Sequence, residues 1–277
     1  MFKKIDKPMI MGILNATPDS FSDGGQFSGV GAAIRQAITM IDEGADIIDI
    51  GGESTQPGSE PVSADEQIRR VVPVIEAMRE KISVDIPISI DTTQSKVARA
   101  ALDAGANIIN DISAGRDDET ILKLAAERNT PIILMHMQGK PKNMQVQPNY
   151  QEVIDEVLVF LERRIQVAIK AGIQKSNIAI DPGIGFGKRK QDNFDLLAGL
   201  QRFVDTDFPV LLGTSRKGFL GKVCKVSEPM ELATATAVTT ALAVMNGVQM
   251  FRVHDVMENR QAADIAWTIR QSQQSIE

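Results

Sequence analysis

The stretch EGADIIDI, Glu43 to Ile50, sets a glycine just ahead of an apolar run. Glycine takes the left-handed backbone that closes a helix at no steric cost, so the stretch predicts a helix stop followed by a strand. The same punctuation returns in DAGANIIND and in NGVQMFRV, which are far apart in the chain. A repeated helix-stop-strand signal points to alternating β and α units.

Working outward, eight short apolar runs read as strands: Met9–Leu14, Asp46–Gly51, Pro87–Asp91, Asn107–Asp111, Pro131–His136, Asn177–Asp181, Pro209–Gly213 and Gln249–Val253. Runs apolar on both faces suit parallel strands covered on both sides. Between them, SADEQIRRVVPVIEAM and NYQEVIDEVLVFLERRIQVAIKAG carry the spacing of amphipathic helices, the first despite Pro73. No linker or low-complexity tract divides the chain. The expectation is α/β, a single (β/α)8 TIM barrel domain over residues 1–277. An open doubly wound sheet is the other fold this strand count allows.

Bulk properties narrow the partners. The 277 residues are 43% hydrophobic, ample for a large core, and the net charge of -6 disfavours nucleic acid or an anionic membrane. One cysteine, Cys224, leaves no internal disulfide and suits the cytoplasm. The N-terminal MFKKIDKPMI lacks the apolar core of a signal peptide. The segment Leu232–Gly247, LATATAVTTALAVMNG, is too short for a membrane span. It reads as a helix apolar nearly all round, entered through a SEPMEL capping pattern, and suits burial against the sheet with room for a subunit contact.

Polar groups gather where the runs end: Asn15, Glu53, Asp91, Asn110, Asp111, His136, Asp181, Ser215, Lys217, Arg252 and His254. In a barrel those ends converge on the face that carries active sites. Asp91, Asn110 and Asp181 combine acceptors with an amide that both donates and accepts, a set suited to a planar nitrogen heterocycle. Helix capping by Asp91 and Asp181 is the competing role. With two histidines and no His-x-His spacing, a histidine-rich metal site is disfavoured, whereas Asn15 with nearby carboxylates suits a hard cation beside a phosphate. Ser215, Lys217, Arg252 and His254 make the best anion site, after the seventh and eighth runs. GIGFGKRK, Gly183–Lys190, matches no complete nucleotide fingerprint and reads as a loop with Lys188, Arg189 and Lys190 in solvent. NATPDSFSDGG, Asn15–Gly25, is turn-rich and suits a lid.

Taken together, GILNATPDSFSDGG, DIGGESTQPG, SIDTT, NIINDISAG, LMHMQG, IDPGIGFGK, LLGTSRKGF and FRVHDV resemble the dihydropteroate synthase family, in family order and over essentially the whole chain. The resemblance implies a barrel that joins 6-hydroxymethyl-7,8-dihydropterin diphosphate to 4-aminobenzoate, releasing pyrophosphate, with Mg2+ as cofactor and sulfonamides as competing ligands. It implies Asp91, Asn110, Met135, Asp181, Phe186, Lys217 and Arg252 around the pterin. It implies Phe21, Thr55, Pro57, Ser215 and Lys217 around the aminobenzoate. Asn15, Thr55, Arg252 and His254 would face the diphosphate, Asn15 near the metal. Asp91, Lys217, Arg252 and His254 would carry the catalysis. The family also implies a homodimer. One position departs: Gln56 stands where the family usually has arginine, so no cationic role is carried onto it. Arg216, beside Lys217, is left with a structural or surface role.

Three other functions fit part of this pattern. A methyltransferase barrel moving methyl from a folate to a corrinoid shares the Asp–Asn–Asp pocket; NATPDSFSDGG and TSRKGF favour the synthase. Lys217 as a Schiff-base nucleophile would make an aldolase. A silent pterin-binding protein would bind without turnover.

Overall fold

The computed structural model describes residues 2, 6–16, 25–82 and 85–275. Eight strands enter one sheet: β1 (Met9–Asn15), β2 (Ile47–Gly51), β3 (Ile88–Asp91), β4 (Ile108–Asp111), β5 (Ile132–Met135), β6 (Ile178–Asp181), β7 (Leu211–Leu212) and β8 (Met250–Val253). All ladder pairings are parallel, in the order β6-β5-β4-β3-β2-β1-β8-β7. A parallel bridge between Ile180 and Val210 joins the two ends, and Ile180 N donates to the Pro209 carbonyl at 2.9 Å. The ring is therefore closed, and the open doubly wound alternative falls.

The helices are α1 (Gly25–Asp42), α2 (Ala64–Lys81), α3 (Ser95–Asp103), α4 (Thr120–Glu127), α5 (Val153–Lys170), α6 (Lys190–Ala198), α7 (Leu200–Val204), α8 (Gly218–Cys224), α9 (Ala233–Met245) and α10 (Val256–Gln274). Gly44, Gly105 and Gly247 all have positive φ just ahead of β2, β4 and β8, as the punctuation requires. α2 runs through Pro73.

Strand alternation sorts the apolar residues into two sets. Ile48, Ile50, Ile88, Ile90, Ile109 and Ile132 pack outward into the main core beneath the helices. Met11, Ile47, Ile108, Ile133, Ala179, Leu211 and Met250 form a separate plug with Phe2 inside the ring. That plug is what fills the barrel.

α9 departs from expectation in how it is buried. Its inner face is threonine: Thr239 meets Thr214 hydroxyl to hydroxyl at 2.7 Å, and Thr240 donates to Asn259 at 2.6 Å. Its outer face leaves Val238 and Leu242 exposed. The helix is entered through a 3-10 turn, Pro229–Leu232, without a side-chain cap, so SEPMEL supplies a proline start but no capping hydroxyl.

Candidate active site

Two residues past the plug on β2, β4, β6 and β8, on the same side of the strand, the interior turns polar. Ile47 leads to Asp49, Ile108 to Asn110, Ala179 to Asp181 and Met250 to Arg252, and on β3 Ser89 leads to Asp91, whereas Met11, Ile133 and Leu211 lead to Ile13, Met135 and Gly213. Register completes the assembly. Asp91 pairs across from Asn110, and Met135 across from Asp181. One layer of the barrel thus carries the three groups expected to read a heterocycle, and Arg252 with them.

Arg252 organises the layer. Its Nε donates to Asp49 Oδ2 at 2.6 Å and its Nη2 to Asp91 Oδ2 at 2.7 Å. Asn110 Nδ2 also donates to Asp49 Oδ2, at 3.2 Å, while Asp49 Oδ1 is buried with no hydrogen-bond partner. Two buried carboxylates share one guanidinium. Burial raises the Asp91 carboxyl; Arg252 pulls it down and the Asp49 charge pushes it up again. The two carboxylates in turn hold Arg252 above its ordinary value, against its own burial. Neither aspartate of the predicted trio caps a helix: α3 begins at Ser95, whose N–H goes to Asp118, and Asp181 accepts from Gly183 N at 2.6 Å within the following loop. Burial raises the Asp181 carboxyl as well.

Lys217 reaches into the same mouth. Its ammonium donates to the Ile184 carbonyl and stands 4.2 Å from the centre of the Phe186 ring. Burial pushes it down to about 7, against the attraction of Asp181. Ile112, Met135, Met137 and Met144 pack with Phe186 into a small apolar cluster that includes one wall of the mouth. Beside it, Ser215 Oγ lies 2.9 Å from His254 Nδ1 and accepts from His254 N at 3.0 Å. Burial lowers that imidazole to about 4, with Arg252 adding to the shift. Arg216 turns away, as its structural role requires: with φ 57° it forms a two-point pair with Asp255, at 2.5 and 3.0 Å.

Asn15, Thr55 and Pro57 stand at the rim, Asn15 and Pro57 exposed and Thr55 half-buried. The loop bearing Thr55 is tied at its base through Glu53, which accepts from Val62 N at 3.0 Å and Gln67 Nε2 at 2.7 Å. Glu53 is thus a loop anchor. Phe21 and most of the proposed lid lie outside the described residues.

Alternation also removes residues from the polar set. Asp111, next to Asn110, belongs to the opposite face and folds its own turn, accepting from Ser113 N, Ser113 Oγ and Gly115 N at 2.6–2.8 Å. His136, next to Met135, is buried with its ring edge-on to Phe160. The expectation that Lys188 is solvated is wrong: it is 2% exposed, 2.9 Å from His136 Nδ1, while Arg189 and Lys190 are exposed. Asp49 was missed. Its signal was an acid in the interior of the run DIIDIG, between Ile48 and Ile50 and at the same strand parity as Gly51.

The pattern of the pterin binding enzyme family matches residues 11–254. A dihydropteroate synthase of Synechocystis is 46% identical over 257 residues, 93% of this chain and 88% of that protein. This chain belongs to the dihydropteroate synthase family. A solved dihydropteroate synthase of Clostridium difficile, determined in the presence of pteroic acid, superposes with a TM-score of 0.91 at 42% identity, covering 97% of this chain and 99% of that one. One from Yersinia pestis, in complex with a sulfonamide drug, gives 0.90 at 40% identity, covering 97% and 96%. A mouth holding three acid groups, an amide, a guanidinium and an ammonium offers donors and acceptors enough to line a flat ring.

Proposed function

We propose that this chain is a dihydropteroate synthase of folate biosynthesis, joining 6-hydroxymethyl-7,8-dihydropterin diphosphate to 4-aminobenzoate to give 7,8-dihydropteroate and pyrophosphate. The observation that carries this is the convergence of Asp91, Asn110, Arg252 and Lys217 on one barrel mouth in a chain of this family. The Clostridium relative's pteroic acid joins a pterin to 4-aminobenzoate through one methylene, the bond this reaction makes.

In this reading Asp91, Asn110, Asp181 and Lys217 bond the pterin edge, Met135 and Phe186 enclose its face, and Arg252 lies against it. Arg252, His254, Asn15 and Thr55 face the diphosphate. Phe21, Thr55, Pro57, Ser215 and Lys217 surround the aminobenzoate, which sulfonamides would displace, as the ligand of the Yersinia relative suggests. Asp91, Lys217, Arg252 and His254 are the catalytic set. The methylene C–O bond breaks with its electron pair leaving on the diphosphate, and the Asp91 carboxylate stabilises the pterin cation that remains. The amine lone pair then forms the C–N bond and the nitrogen gives up a proton. A secondary deuterium isotope effect at the methylene well above unity supports this order; a value near unity means associative displacement.

Among the described residues no group of three or more His, Cys, Asp or Glu could hold a metal ion. Asn15, exposed at the end of β1, offers a single hard oxygen. That donor set fits Mg2+ held mainly by the diphosphate, where it would neutralise charge on the leaving group.

The chain works as a cytoplasmic homodimer. Exposed Leu242 on α9 and Ile265 and Ile269 on α10 flank an apolar groove suited to a second copy. Among the described residues no helix is long and apolar enough to cross a membrane. Transfer of ring-labelled 4-aminobenzoate into dihydropteroate tests the function. Methyl transfer to a corrinoid, or borohydride trapping of Lys217 with a carbonyl substrate, would replace it.

A further inference from the structure

The sequence of the loop after β6 contains a lysine that the site does not use directly. Lys188 is buried at the base of the loop Gly183–Gly187, and its ammonium reaches His136 Nδ1 at 2.9 Å, the Gly183 carbonyl at 2.8 Å and the Phe186 carbonyl at 3.1 Å. The His136 carbonyl is a further contact at 3.5 Å, and burial holds Lys188 well below its ordinary value, against the attraction of Asp181. Burial, joined by the Lys188 charge, lowers His136 to about 2, so the imidazole is a neutral acceptor. The loop is wound tightly around this point. Gly183, Gly185 and Gly187 all have positive φ, and a Cβ on them would lie 1.8 Å from the His136 carbonyl, 2.6 Å from Lys217 Cδ and 2.2 Å from the Gln138 carbonyl. The two residues between these glycines, Ile184 and Phe186, supply the carbonyl and the ring against which Lys217 rests.

We propose that Lys188 is a positioning residue: by tying the Gly183–Phe186 loop to His136, it pre-forms the wall that holds Lys217 in the mouth. This rests on the reading that Lys217 and Phe186 line the pterin site. A wall formed before binding saves the ligand the cost of ordering it. Removing the tie therefore weakens binding, while turnover at saturation, where ligand orders the loop, is kept. Irreversible loss of folded protein would do the reverse, lowering kcat and the calorimetric stoichiometry while leaving affinity intact, and a reversible loss of folding would show as a lower Tm.

Lys188→Met should raise the calorimetric Kd for pteroic acid about tenfold, with kcat at saturating substrates within about threefold of wild type. His136→Leu, which removes one acceptor, should raise Kd about threefold. Unchanged Kd in Lys188→Met beside a raised Kd in Lys217→Ala overturns the clamp alone. Unchanged Kd in both overturns the pterin-site reading and the clamp with it. If Lys188→Met fails to fold, hydrogen exchange on the wild-type chain decides. Slow exchange at Gly185 and Phe186 without ligand supports a preformed wall, and fast exchange there that pteroic acid abolishes overturns it.

Discussion

Arg252 on β8 and Asp91 on β3 are joined at 2.7 Å across the mouth of the barrel, with β1 and β2 between their strands. The same guanidinium holds Asp49 at 2.6 Å. Three charges that would each be costly to bury alone are paired with one another in one layer of the barrel mouth.

Replacing Arg252 with methionine leaves both carboxylates buried without their cation. A loss of about 3–5 kcal/mol in unfolding free energy is expected, the usual result of breaking a buried pair from one side. Urea denaturation measures it. Asp49→Asn, which keeps the shape and removes one charge, should cost less and should lower the Asp91 carboxyl. A loss under about 1 kcal/mol for Arg252→Met would mean that the carboxylates find other partners or protonate freely.

Lys217 gives a pH signature. Its cation is lost as pH rises through about 7 in the free protein, so kcat/KM for the pterin diphosphate should fall above that pH. Lys217→Arg should move the fall beyond pH 9, whatever its absolute rate. Stability moves the other way. The folded value is depressed, so the unfolded chain binds more protons between about 7 and the ordinary lysine value, and stability from this group rises with pH across that window. Lys217→Met should therefore gain more in Tm at pH 6 than at pH 10.

Gln56 lies exposed beside Thr55 and Pro57, and its carbonyl accepts from Ser59 Oγ at 2.6 Å, so its backbone is already fixed. Adding charge there should act on the anion alone. Gln56→Arg is expected to lower KM for the pterin diphosphate by about threefold to tenfold, about one charge-assisted contact. No change would show that the loop does not face the diphosphate.

The eight β/α units were legible because helix stops and apolar runs are local signals, whereas closure rests on the Ile180–Val210 bridge, which a strand count cannot display. Asp91, Asn110 and Asp181 were legible for the same reason, as polar ends of apolar runs. Which neighbour faces inward is a matter of register, and that misled the reading of Asp111 and His136. Their preceding neighbours Asn110 and Met135, which pair with Asp91 and Asp181, hold the inner positions. Asp49 escaped because it sits within its run, and it shows its role only once Arg252 comes across from the far end of the chain. Lys188 was misjudged because three glycines fold a loop over it, which composition cannot display.

The apolar groove predicts an assembly. Leu242 is 61% and Ile265 65% exposed on the α9–α10 face. The chain should run at twice its mass in light scattering, and Leu242→Glu with Ile265→Arg should return it to the monomer with its circular dichroism unchanged. A wild-type monomer at micromolar concentration would contradict the homodimer.

The most direct test is pyrophosphate release from 6-hydroxymethyl-7,8-dihydropterin diphosphate by the purified chain with Mg2+, with and without 4-aminobenzoate. Release that depends on 4-aminobenzoate, with one dihydropteroate formed per pyrophosphate, is the predicted result. Tight pterin binding with neither product, under conditions where a known synthase turns over, would contradict it and leave a barrel that binds pterin for another purpose.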